Sequence, residues 1–173
     1  MRQTLGRFLG RESVPTLGEL AAEIRDTVGG ELGVDDLCST ERRTAHWAVR
    51  DGERQDFLCF YDAVILAALS EGPVEIHTES PGGTMIEAHA VGTDSLDVTP
   101  GEAVFSIGVA KSAGLAGEGE PNLADAYEAV CPYVKAFPDA DSYRRWAETV
   151  PAATVGLELD GATEFAAALT EAD

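Results

Sequence analysis

Apolar and polar positions along the chain change period several times, and each change marks an element. "LGELAAEIRDTV" (17–28) spaces its apolar residues for a helix. Thr16 with Glu19 three positions on forms a capping box, and Gly29-Gly30 supplies the stop. "VDDLCSTERR" (34–43) predicts a short second helix containing Cys38. "TAHWAVRDGERQDFLCF" (44–60) predicts two short strands around Asp51-Gly52, a pair suited to a hairpin turn. From Tyr61 to Leu69 the chain is apolar on every side, which no surface helix tolerates, so a buried helix is expected.

Strand patterns follow in "PVEIHTE" (73–79), "TMIEAHAV" (84–91) and "AVFSIGVA" (103–110), with turns at Pro81-Gly82-Gly83 and Pro100-Gly101. "KSAGLAGEGEPN" (111–122) is a glycine-rich stretch long enough for a lid or binding loop. A short helix over 123–131 ends at Cys131-Pro132, and "YVKAF" (133–137) returns as a strand because proline disfavours continuing the helix. A helix over 139–150, a strand over 153–159 and a closing helix over 161–172 complete the chain. No internal repeat or linker divides it. The expected class is α+β, a mostly antiparallel or mixed sheet packed with helices, in one domain, which 173 residues can support.

Charge changes the picture more than size does. Thirty-one acids against twelve bases give a net charge of −19, and the sequence pI is near 4.3. Only Lys111 and Lys135 are lysines. The acids are spread along the whole chain, so this is no acidic tail; such a surface repels itself unless salt screens it. The composition is therefore that of a salt-adapted, cytoplasmic protein, and it argues against nucleic acid or an anionic membrane as partner. No apolar run approaches the ~20 residues that span a bilayer, and the N-terminus lacks the apolar core of a signal peptide. Three cysteines in such a chain are expected to be thiols and not a disulfide framework.

Two of those cysteines stand in chemically suggestive places. Cys59 and Asp62 are three apart at the leading edge of the oily segment, on one helix face if the helix has begun. A thiol at a helix N-terminus is favoured as thiolate. A carboxyl in an apolar run is favoured as the acid, so the pair would set a proton donor beside a soft nucleophile. The alternative is an inert buried thiol and a helix cap. Cys131, ahead of a proline and a strand, would add a second thiolate, and two thiolates with a carboxylate select soft metals such as Hg(II), Cu(I) or Zn(II). Structural zinc is disfavoured because no CxxC occurs. Cys38 lies outside that neighbourhood and counts as a plain thiol. His46, His77 and His89 all sit in strand patterns, and His77 with His89 facing across a hairpin is only a weak metal pair. "GVAKSAG" lacks the glycine before lysine that a phosphate loop requires, and no Gly-x-Ser-x-Gly is present.

The blocks "DFLCFYDAVILAAL" and "AVCPYVKAFPDADSYRRW" resemble the two catalytic motifs of the organomercurial (alkylmercury) lyases. The first is carried by Cys59 and Asp62, the second by Cys131 and Trp146. The likeness runs from about Arg43 to Phe165 and implies a lyase-like core over 43–173 behind a shortened N-terminal helical segment over 1–42. Leu58 stands where the family commonly has an aromatic residue, and the region of His77-Thr78 stands where a non-catalytic cysteine is often found. The resemblance implies protonolysis of a carbon–mercury bond to a hydrocarbon and Hg(II). In it Cys59 and Cys131 bind the mercury, Asp62 carries the proton, and the product Hg(II) sits between the two sulfurs and the Asp62 carboxylate, with no organic cofactor. The implied partners are an organomercurial as substrate and low-molecular-weight thiols or a mercuric reductase as recipients of the product. A non-enzymatic Hg(II) or Cu(I) carrier on the same fold is the main rival, and a thiol protein with redox or regulatory work is a third.

Overall fold

The structure is a computed structural model that describes residues 16–28, 30, 32–113 and 128–170, together with Gln3. Helix α1, Leu17–Val28, begins as expected: the Glu19 N–H donates to Thr16 Oγ1 at 3.1 Å, and the Glu19 carboxylate accepts from the Thr16 N–H at 3.1 Å. Strands β2 (His46–Arg50) and β3 (Glu53–Phe57) form the expected hairpin. Asp51 and Gly52 both take positive φ, 55° and 80°, the geometry that suits the twist of a two-residue turn.

A two-residue strand β1 (Ser39–Thr40) adds to β3, and β4 (Pro73–Glu79), β5 (Met85–Val91) and β6 (Ser95–Thr99) extend the other side. The result is a six-stranded antiparallel sheet in the order β1-β3-β2-β4-β5-β6. Burial along β4 and β5 alternates strictly, so one face is dry. Helix α2, Phe60–Ala68, lies on that face, and Phe60 to Ala67 are all buried. Helix α4 (Ala162–Thr170) covers α2 from the other side, and α1 packs on α4. Tyr61 Oη donates to the Ala162 carbonyl and so pins α2 to the start of α4.

A second antiparallel sheet, β8-β7-β9, is built from β7 (Val104–Ala110), β8 (Ala136–Phe137) and β9 (Ala152–Glu158). Helix α3, Ala140–Ala147, caps it through tilted and edge-on rings: Trp146 and Tyr143 lie 5.1 and 5.6 Å from Phe137. Among the described residues no helix is long and apolar enough to cross a membrane.

Three expectations need correction. Residues 34–43 do not form a helix around Cys38; a single 3-10 turn, Val34–Asp36, ends before it, and Ser39 already belongs to β1. Strand β6 was not foreseen, because it carries only Leu96 and Val98 as apolar residues at the sheet edge. In "YVKAF" only Ala136–Phe137 is strand, since Tyr133 completes a 3-10 turn with Cys131 and Pro132. The expected loop beyond residue 113 and most of the helix before residue 128 lie outside the described residues.

The two sheets are joined by a buried polar contact. His46 Nδ1 is 2.6 Å from Thr78 Oγ1, and its Nε2 is 3.4 Å from Lys135 Nζ, which enters from the second sheet's side. An ammonium can only donate, so the neutral ring is assigned its proton on Nδ1, donated to Thr78. Burial first, and then the Lys135 charge, bring the imidazole down to about 4. The unfolded chain therefore takes up this proton near pH 6.5 and the folded chain only near 4. The contribution is fully present above 6.5 and is lost as pH falls through about 4. The stability advantage of wild type over His46→Gln, read by urea unfolding, should shrink by about 3 kcal/mol between pH 7 and pH 4; a pH-independent difference would contradict this.

Gly108 in β7 has a second structural role. A Cβ there would stand 2.8 Å from both Tyr133 Cβ and Thr154 Cγ2. Gly108→Ala should destabilise by about 1–3 kcal/mol, whereas Gly161→Ala, with open space around it, should be nearly neutral. Equal urea midpoints for the two variants would show that the turn at Cys131–Tyr133 does not need this close approach.

Candidate active site

Strand β3 passes into α2 with only Leu58 and Cys59 between them. Cys59 is the N-cap, with extended backbone (φ −127°, ψ 140°), and its sulfur accepts the Tyr61 N–H at 3.4 Å. The helix proper begins at the next residue, Phe60, and Asp62 falls in its first turn, where its carboxyl meets the Cys59 side chain. Across the ladder the Leu58 N–H donates to the Cys38 carbonyl at 3.0 Å, just beyond the Ser39↔Phe57 pair. That bond sets Cys38 beside the start of the helix. Leu58 itself is 60% exposed, while Cys59 is only 3% exposed.

Asp62 is 8% exposed. Among the described residues its Oδ2 has no hydrogen-bond partner. Burial pushes the carboxyl up to about 6, against the Cys38 backbone N–H and the Cys59 side chain, which pull it down. A carboxyl so placed holds or yields a proton close to neutral pH.

Cys131 arrives from the second sheet. It opens the 3-10 turn Cys131–Tyr133, with Pro132 fixing the backbone. The turn is held from below by buried Ser106, whose Oγ donates to the Tyr133 carbonyl at 2.8 Å and accepts the Lys135 N–H at 3.2 Å. Its thiol reaches the first group. The Cys131 thiol is pushed up by hydrogen bonds with Cys38 and with Cys59, then by burial, then by the charges of Cys59 and Asp62. Cys59, Asp62 and Cys131 thus come together from two sheets, and none of the three cysteines is in a disulfide.

Other residues fall differently from expectation. Cys38 belongs to the cluster, although nothing in its sequence surroundings marked it. The signal is a two-residue bridge, β1 on β3, too short to leave a pattern. His77 and His89 do not face each other: His77 pairs with Glu87 and His89 with Glu75. His77 also stacks on Trp47 at 5.1 Å, with its Nδ1 3.4 Å from Glu87 Oε1. Trp146 packs under Phe137 and supports the strand after Cys131. Thr78 is the hydroxyl partner of His46. Among the described residues no three or more His, Cys, Asp or Glu side chains stand at spacing that would hold a resident metal ion, so the thiols are neighbours and not a preformed cage.

No curated protein matches this sequence. The fold is similar to a solved structure titled the mercury-bound form of MerB2, with a TM-score of 0.55 at 14% identity over 97% of each chain. At that identity the likeness speaks for the fold alone. The family model for alkylmercury lyase (MerB) matches residues 40–171, a span that takes in Cys59, Asp62 and Cys131. This chain belongs to the alkylmercury lyase family and is an organomercurial lyase.

Proposed function

We propose that Cys59, Cys131 and Asp62 carry out the carbon–mercury cleavage. The observation that supports this is the meeting of the two thiols at a buried carboxyl with an unpartnered oxygen. Thiolate sulfur is the soft ligand that mercury prefers, so one cysteine captures the organomercurial and the second raises the coordination and weakens the Hg–C bond. Two thiol protons are displaced in all. One passes through Asp62 to the departing carbon, giving the hydrocarbon, and the other goes to solvent, leaving Hg(II) bound to two sulfurs. An acid near pH 6 in a dry site is suited to taking a proton from a thiol and giving it to carbon. No organic cofactor enters this sequence.

Hg(II) held by two sulfurs leaves by exchange with other thiols, so a low-molecular-weight thiol or the thiols of a mercuric reductase are the natural recipients. Three free cysteines suit a reducing, cytoplasmic setting. The dispersed −19 charge suits a salt-rich one.

Purified protein given phenylmercury and excess thiol should release benzene. Asp62→Asn should still bind Hg(II) while its turnover falls about 10²–10⁴-fold. Cys59→Ser and Cys131→Ser should each abolish turnover. A wild type that binds Hg(II) tightly and releases no benzene would point to a carrier, and full activity in both cysteine variants would remove this site. Raising KCl toward ~1 M, where the Debye length is about 3 Å, should raise the urea midpoint; a midpoint that falls would contradict the salt adaptation.

A further inference from the structure

Cys38 is the buried nucleophile that the proposed reaction leaves unused. It is 9% exposed, and its backbone is held on both sides by the site itself. Its carbonyl accepts the Leu58 N–H, and its N–H acts on the Asp62 carboxyl. Its side chain shares the Cys131 thiol with Cys59. Asp62 adds an unpartnered oxygen to the same pocket of groups. Cys131 is the most exposed of the three cysteines, and its thiol has two sulfur neighbours.

We infer that Cys38 is a further mercury-binding thiol, a second partner for Cys131 that takes Hg(II) over from Cys59 after cleavage. This rests on the roles proposed for Cys59 and Cys131. In the exchange the Hg–S bond to Cys59 breaks and one to Cys38 forms, while the Cys38 thiol proton goes to the Cys59 sulfur it replaces. Nothing is oxidised or reduced. Mercury bound to two sulfurs needs only a pair of thiols at a time, and Cys131 has two sulfur neighbours to pair with. The transfer frees Cys59 beside Asp62 for the next organomercurial while the product waits on the Cys38–Cys131 pair.

The plain alternative is that Cys38 only fills space and donates a weak hydrogen bond. The two readings separate on Hg(II) alone, with no organomercurial present. Cys59→Ser and Cys59→Ser/Cys38→Ser proteins, checked for folding by circular dichroism, are loaded with one equivalent of mercuric chloride. The number of sulfur ligands is read by X-ray absorption at the mercury edge, and affinity by competition with a small dithiol. Cys59→Ser should keep two sulfurs on mercury. The double variant should keep one and lose at least roughly a hundredfold in affinity, the upper end of what lost supporting groups cost. Identical sulfur counts and affinities would overturn the inference. Cys38→Ser in the otherwise intact chain gives a second reading: the rate at which the dithiol strips Hg(II) should change several-fold, and an unchanged rate also overturns it. A protein that shows the Cys38–Cys131 pair yet releases no hydrocarbon would defeat the proposed cleavage roles and leave this one standing.

Discussion

Helix α2 is buried along nearly its whole length, and the site depends on that burial. A buried helix cannot hand its first N–H groups to water, so they need acceptors from the chain. Here the Cys59 sulfur takes the Tyr61 N–H, and Tyr61 spends its own hydroxyl on the Ala162 carbonyl at the start of α4. The rings of Phe105 and Phe165 close over Tyr61 at 5.7 and 5.4 Å. The same packing that fixes the helix denies water to Asp62, and the low dielectric then raises its carboxyl toward neutrality. Packing and proton chemistry are one constraint in this segment.

Asp56 and Asp62, six residues apart, show how far local partners decide the state of a buried carboxyl. Asp56 receives Arg54 through two contacts at 2.7 and 2.8 Å, Arg43 at 3.2 Å and the Thr44 N–H at 2.9 Å. These hold its carboxyl well below the usual range, with the Arg54 hydrogen bonds first among the causes. Arg54 in turn lies 4.1 Å over the Trp47 ring, which stiffens the β2–β3 hairpin. Among the described residues Asp62 receives no arginine and keeps an orphaned oxygen. One carboxylate is satisfied and structural; the other is left poised, which is the condition a proton carrier requires.

Much of the fold was legible from the chain because its signals are local. The Thr16–Glu19 box, the Asp51-Gly52 turn and the unbroken apolar run of α2 each carry their own physical reason. Strand β6 was hidden because an edge strand with two apolar residues looks like loop. Cys59 and Asp62 were legible as a pair from helical spacing, and Cys131 from its proline and the strand beyond it. Cys38 was not, because its place depends on the Leu58 N–H bond across a two-residue ladder and on a turn from the other sheet. Contacts of that kind are products of tertiary packing. The histidines erred for a related reason: register, which sequence does not print, sets His77 against Glu87.

Because Cys59 grows from the six-stranded sheet and Cys131 from the three-stranded one, an ion shared by their sulfurs is also a rivet between the two halves of the molecule. It closes a long loop of chain as a disulfide would, which restricts the unfolded ensemble, and as a ligand it weights the population toward the native state. On the roles proposed above, the product complex is the stiffer form of the protein. On the same roles each turnover ends with an outside thiol drawing the ion, whether Cys59 or Cys38 holds it from the six-stranded side, so loosening of the seam between the sheets and departure of the ion become a single event.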